Sequence, residues 1–309
     1  MTLKYPISCY INALLVILPF LKIKIVLIGA TNLCEKNLVI EKKDVSEYSK
    51  RDDKKILEGE QKKASNKRGF KKNDNQSDTV KKHVQPPIES NDCFDVCFMK
   101  KCEDFDKSID SLPIKLSVMK LFGAEIQHKI LRRGFNSTKG KLELVNTQIL
   151  ERFESIELTE NNCTRINTFI VSSHLSDFLP KSIRSIIKKN IPDARIDMDR
   201  NKDSGTVGLQ VLMHCEYFYC ETYRISRVEE CCEKLMKYIF ECILSENVFD
   251  DKLIDLVFVC MSLATGVSQV RIRGLESILC LVKAFYPVEV VEKDGITSIV
   301  GADFLNIWQ

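Results

Sequence analysis

Residues 249–274, FDDKLIDLVFVCMSLATGVSQVRIRG, decide how this chain is read, because apolar pattern, charge placement and turn chemistry agree along the whole stretch. Between 253 and 263 nearly every position is apolar, too dense for a surface helix, so a helix buried on most sides is predicted. Asp250 and Asp251 begin it, where negative charge suits the positive end of the helix dipole. Gly266 supplies the permissive residue at which it stops. Residues 267–273 then alternate. Val270 and Ile272 point one way and Gln269, Arg271 and Arg273 the other, the period of a half-buried strand with a basic edge.

Working outward, Leu275, Ile278, Leu279, Val282 and Phe285 fall at helical spacing until Pro287 ends the pattern. Two apolar runs, 288–291 and 296–300, flank Asp294-Gly295, a pair that favours a tight hairpin because both central positions need positive φ. The predicted order is helix, strand, helix, hairpin.

These residues carry a resemblance. The helix with Asp255 ends in Met261-Ser262-Leu263-Ala264, Ser268-Gln269-Val270 lies on the strand, and Val300-Gly301-Ala302-Asp303-Phe304-Leu305-Asn306 closes the chain. The pattern resembles the RNA 3′-terminal phosphate cyclase superfamily, which has an Asp-containing helix ending in Met-x-Leu-Ala, a Ser-x-Val strand and a C-terminal Val-Gly-x-x-Phe-x-Asn. That resemblance implies an α+β fold of repeated helix/sheet units with a smaller inserted α/β domain. The superfamily has two branches, true cyclases and eukaryotic cyclase-like proteins of small-subunit ribosome assembly.

At 309 residues the chain can bury a sizeable core, and 46 basic against 43 acidic residues leave a net charge of only +3, so any nucleic-acid footprint must be local. Thirteen cysteines are scattered through predicted core elements and show no secretory pattern, which favours a reduced intracellular compartment over a disulfide framework. Residues 11–30, INALLVILPFLKIKIVLIGA, look like a membrane span, but Lys22 and Lys24 would each cost a few kcal/mol near a bilayer centre, and Pro19 breaks a helix. A helix over 9–18 and a strand over 23–28 fit better, with no membrane partner. Pro19-Phe20 and Gly29-Ala30-Thr31-Asn32 match the superfamily's Pro-Phe helix end and Gly-x-Thr-Asn strand end. In the superfamily a whole repeat precedes this helix, so the chain is expected to lack that first repeat.

From about 35 to 103 Lys, Asp, Glu, Ser, Asn and Gln dominate without an apolar period, predicting a disordered charged insertion. His83, Cys93, Cys97 and Cys102 within it lack a second finger-like pair, so no metal is expected. Beyond it a helix over 108–122 presents Leu112, Leu116 and Met119 inward. A strand over 126–131 leads to Arg132-Arg133-Gly134 and a loop ending Lys139-Gly140-Lys141. This matches in part the superfamily's Arg-Gly pair and glycine-rich phosphate loop; of the glycine cluster Gly140 remains. Residues 152–159, RFESIELT, resemble the strand and Leu-Thr that lead into the superfamily's inserted domain, where a strand over 164–173 precedes a helix with Leu179, Ile183, Ile186 and Ile187 inward and Lys181, Arg184, Lys188 and Lys189 outward. A strand over 194–198, a turn over 202–209, two more strands and a helix over 228–244 follow. The expected domains are 1–34 with 104–160, an interrupted cyclase-like repeat; the insertion 35–103; an inserted α/β domain, 161–246; and a C-terminal repeat, 247–309.

A cyclase resembling this superfamily attacks ATP with a histidine placed just after the strand that ends at Arg273. No histidine follows His214. Imidazole is the residue type that covalent adenylation needs, so no catalytic residue and no cofactor is assigned. His128, His174 and His214 lie in or near strand patterns where structural histidines are the usual finding. The expectation is a non-catalytic cyclase-like factor of pre-rRNA processing and small-subunit maturation, acting in the nucleus and nucleolus. The resemblance implies a ribosome-assembly GTPase and pre-rRNA as partners. The competing readings are an ATP-dependent RNA 3′-phosphate cyclase, a pre-rRNA endonuclease, and a decayed homologue. The candidate RNA or partner contacts are Arg271, Arg273 and Lys283, with Arg132, Arg133, Lys139 and Lys141 as a second patch.

Overall fold

The computed structural model describes residues 6–32, 108–135, 139–201, 207–222, 228–272 and 288–306. The expected insertion over 35–103, with its cysteines, and the expected helix after Gly274 lie outside them. All described residues belong to one compact unit, Met1–Leu38 with Asp104–Gln309.

In chain order the elements are α1 (Ser8–Ile17), a 3-10 turn (Leu18–Phe20), β1 (Ile23–Gly29), α2 (Leu112–Leu121), β2 (Gln127–Arg132), β3 (Gly140–Asn146) and β4 (Glu157–Leu158). Then come β5 (Asn167–Ser173), α3 (Phe178–Asn190), β6 (Arg195–Asn201), β7 (Gly208–Cys215), β8 (Phe218–Thr222) and α4 (Val228–Leu244). The chain closes with α5 (Asp251–Leu263), β9 (Val267–Arg271), β10 (Glu289–Lys293) and β11 (Ile296–Val300). The fold is α+β. Three sheets have the orders β1-β3-β2, β10-β11-β9-β4 and β6-β5-β7-β8; the described pairings are antiparallel except β4 with β9 and β5 with β6.

The density of apolar residues in α5 is met by burial of nine of its side chains, from Leu253 to Leu263. With α1, α2 and the first two sheets they form one apolar core. A second core lies between the third sheet and helices α3 and α4, around Ile170, Ile183, Val211 and Ile239. Asp250 starts α5 as its N-cap, accepting from the Lys252 backbone N–H at 3.0 Å. Its other carboxylate oxygen accepts from the Tyr219 backbone N–H at 3.1 Å and the Tyr238 hydroxyl at 2.9 Å, so one buried carboxylate ties α5 to β8 and α4. The cap is therefore Asp250, and Asp255 lies exposed within the helix. The predicted hairpin is present: Glu289–Lys293 pairs with Ile296–Val300 across Asp294 at φ 54° and Gly295 at φ 73°.

Motifs far apart in sequence converge. Asn306 donates its side-chain amide to the Phe20 carbonyl at 3.1 Å, and Phe304 packs edge-on to Phe20 at 5.2 Å between ring centres. Asn146 donates to the carbonyls of Leu18, Pro19 and Leu21, adding to the backbone bonds that Leu18 accepts from Leu21 N–H and Pro19 from Leu150 N–H, and so ties the end of β3 to the turn after α1.

Two expectations are corrected. The strand predicted over 152–159 is reduced to Glu157–Leu158. Upstream of it the backbone bonds singly to the loop after α5, as Thr265 N–H to Phe153 O at 3.0 Å, while Phe153 is buried as a plug of the first core. The cysteines are not all unpaired: Cys163 is joined to Cys215 with Cα atoms 5.8 Å apart, a separation typical of disulfides. The register explains the meeting, since Asn167 on β5 faces His214 on β7, bringing the lead into β5 beside the end of β7. Among the described residues no helix is long and apolar enough to cross a membrane.

Candidate nucleic-acid interface

The site grows from the ladder between β2 and β3. On β3, Gly140, Leu142, Leu144 and Asn146 are buried, which sends Lys141, Glu143 and Val145 to the outer face. On β2, Lys129 faces Glu143 and Ile130 faces Leu142, but the register then slips and Arg132 faces Lys141. The extra residue is Leu131. A bulge of this kind changes the parity of everything after it, because side chains alternate with period two. Without it Arg132 would turn inward and Arg133 outward. With it Arg132 joins Lys141 on the outer face and Arg133 turns into the protein.

Arg133 is 4% exposed. One guanidinium nitrogen donates to Asp110 at 2.6 Å and Nε to Asp199 at 3.0 Å, while the guanidinium sits 5.5 Å from the centre of the Phe169 ring. The second oxygen of Asp110 accepts from the Asn32 amide at 2.8 Å, and that amide also donates to Gln210 at 2.8 Å. Gln210 donates to Glu221 at 2.7 Å, and Ser108 donates to the same oxygen at 2.8 Å. Thr31 accepts from the Gly134 N–H at 2.8 Å and donates to the Asn32 side-chain oxygen at 2.8 Å. Gly140 abuts the same joint, where a Cβ would strike the Gly29 carbonyl and the Thr31 side chain. The Gly-x-Thr-Asn end, the Arg-Gly pair and Gly140 thus meet in one buried polar network linking the β1-β3-β2 sheet to β6, β7 and β8. Its hydrogen bonding satisfies groups that would otherwise be costly to bury.

This placement revises the second patch. Arg133 is a structural strut and is withdrawn from the contact surface; Arg132, Lys139 and Lys141 stay outside, Arg132 half-buried and the two lysines exposed. Sequence reasoning missed Lys129, exposed on the same face as Lys141, and Lys24, whose ammonium contacts Glu143 at 2.7 Å. Alternation along β1 and β2 was the signal that would have found both. Among the described residues of its three strands, the outer face carries Lys24, Lys129, Arg132 and Lys141, with Glu143 as the carboxylate among them.

Arg271 belongs elsewhere. Its Nε donates to the Thr159 carbonyl at 2.9 Å, one terminal nitrogen reaches the Asp294 carbonyl at 3.5 Å, and Glu246 lies at 3.8 Å. It clamps β9 to the end of β4 and to the hairpin turn, with its side chain 29% exposed. Arg273 and Lys283 lie outside the described residues. The structure therefore brings together Arg132, Lys139 and Lys141 but not Arg271.

Of the histidines, His174 is exposed at φ 52°, and His214 is held below its ordinary value by burial, its Nδ1 lacking a hydrogen-bond partner. Among the described residues no group of three His, Cys, Asp or Glu side chains is arranged to hold a metal ion. No known family model matches this chain, and no curated protein matches it.

Proposed function

We propose that the chain is a non-catalytic, RNA 3′-terminal phosphate cyclase-like factor that binds pre-rRNA and a ribosome-assembly GTPase during small-subunit maturation in the nucleolus. The observation that carries the RNA limb is the cationic outer face of the β1-β3-β2 sheet, where Arg132 and Lys141 occupy directly opposed ladder positions. Like charges so placed repel, and a phosphate docking between them converts that repulsion into attraction. The resemblance in residues 249–306 supports the family assignment, and the lack of any histidine after His214 supports a binding role over nucleotidyl transfer.

Two measurements test this reading. Incubation with α-labelled ATP is expected to leave the protein unlabelled; an acid-labile covalent adenylate would replace the binding role with cyclase chemistry. Affinity purification of the tagged chain is expected to recover small-subunit precursors and a GTPase, and Lys129→Glu/Lys141→Glu to weaken binding to precursor RNA about tenfold at ~100 mM salt. Recovery of neither precursor nor GTPase would remove the assignment.

A further inference from the structure

The second core is joined to the first by two stretches of chain, and both are fastened at one residue. Going in, residues 159–166 run from β4 to β5; coming out, residues 245–250 run from α4 to α5. Arg271 holds both, its side chain donating to the Thr159 carbonyl at 2.9 Å and its own carbonyl accepting from the Val248 N–H at 3.0 Å. Past Thr159 the entry stretch is held by longer hydrogen bonds, Asn161 Nδ2 to the Cys242 carbonyl at 3.4 Å and the Cys163 N–H to Asn161 Oδ1 at 3.2 Å. Asn162, Thr164 and Arg165 are exposed. The covalent fastening is the bond from Cys163 to Cys215, at the end of β7.

The two ends of this bond are unequal. Cys215 is buried in the second core, whereas Cys163 is half-buried between exposed neighbours, so a small thiol reaches the bond from one side. Attack from outside therefore falls on Cys163, and Cys215 is left as the resolving partner. Five other thiols compete poorly. Burial pushes Cys220 and Cys242 up to about 11 and raises Cys231, Cys232 and Cys260 as well, which keeps them protonated and weakly nucleophilic.

We propose that Cys163 and Cys215 form a reversible thiol switch that fastens and releases the entry to the second core. That the bond is transient rests on the nuclear function proposed above, since disulfides in reducing compartments are usually redox devices rather than staples; the unequal access does not. The oxidant is a low-molecular-weight disulfide of the glutathione class. Deprotonated Cys163 attacks one of its sulfurs, forming a mixed disulfide and releasing one small thiol. Cys215 then gives up its proton and attacks Cys163 Sγ, closing the protein bond and releasing the second small thiol. Two protein thiols lose two electrons and two protons, which the small disulfide takes up as two thiols. Reduction runs the same steps backwards and leaves the stretch from Asn161 to Arg165 without its covalent tie.

The test uses the full chain in glutathione buffers running from mostly oxidised to mostly reduced, with thiols trapped by alkylation and the Cys163 and Cys215 peptides mapped by mass. The bond is expected to go from formed to absent within that series and to return when the series is reversed. Brief trypsin treatment is expected to cut after Arg165 about tenfold faster in the reduced chain, because cleavage follows the open population. C163S, with circular dichroism matching the parent, is expected to be cut at the reduced rate in every buffer. The parent's two redox states carry the test without the variant. A bond that survives the most reduced buffer would overturn the proposal, as would equal cutting of the oxidised and reduced parent. Recovery of small-subunit precursors reads the function separately. A bond that cycles without such recovery upholds the switch and removes the function, whereas recovery with a permanent bond removes the switch alone.

Discussion

Arg133 and Asp110 face each other at 2.6 Å with side chains only 4% and 1% exposed, an ion pair withdrawn from water where two apolar cores adjoin. Removing Arg133 leaves the Asp110 carboxylate buried without a cation, and removing Asp110 leaves the buried guanidinium only the half-exposed Asp199 as a counter-charge. Asp110→Ala and Arg133→Ala are each expected to lower unfolding free energy by about 3–5 kcal/mol in urea titrations. The double variant Asp110→Ala/Arg133→Ala is expected to lose less than the sum of the two. Strict additivity would mean that the contact is not a coupled pair.

Gly140 and Gly295 need glycine for different reasons, and the reasons predict different costs. At Gly140 the obstacle to a Cβ is the Gly29 backbone and Thr31, which cannot swing aside. Gly140→Ala is expected to cost about 2 kcal/mol or more and to lower affinity for RNA by disturbing the lysines on either side. Gly295 sits at φ 73° in an exposed turn, where alanine is expected to cost about 1–2 kcal/mol and leave RNA affinity unchanged. Thermal midpoints and one RNA titration on each variant separate the cases.

His214 gives stability a defined pH dependence. Burial lowers its folded value below the ordinary 6.5, so at acidic pH the unfolded chain binds the extra proton more readily than the folded one. Its contribution is fully present above about pH 6.5 and is lost as pH falls toward the folded value. The slope is bounded by about 1.4 kcal/mol per pH unit for a single group. His214→Gln is expected to flatten the urea midpoint between pH 6.5 and 5; an unchanged profile would place the effect on another group.

Cys163 and Cys215 close a loop over a sequence separation of 52 residues. Peptide mapping without reductant is expected to recover the linked pair. Cys163→Ser is expected to lose about 2–4 kcal/mol relative to the oxidised parent, and to match the parent once reductant is added.

The parts of the fold that were legible in the sequence are those encoded within a few residues. The apolar run of α5 with its acidic start, the Asp-Gly hairpin and the termini of α4 all lie where local pattern put them. What escaped depends on partners distant in sequence. The shortening of β4 follows from Phe153 and Ile156 bonding to the loop and strand after α5, and the polar joint rests on Asn32 meeting Gln210 across 178 positions. Arg132 and Arg133 are chemically identical neighbours, so composition ranks them alike. A bulge is a property of two strands, and no single strand announces it.

The slip at Leu131 has a consequence for how changes in this region are to be interpreted. One inserted residue, not the identity of any arginine, decides which of two adjacent guanidiniums is a hidden strut and which faces the solvent. Insertion or deletion of a single residue in β2 would exchange those roles without altering either arginine. A comparison that matches this segment column by column, ignoring strand register, would assign the ligand contact to the residue that holds the two cores together.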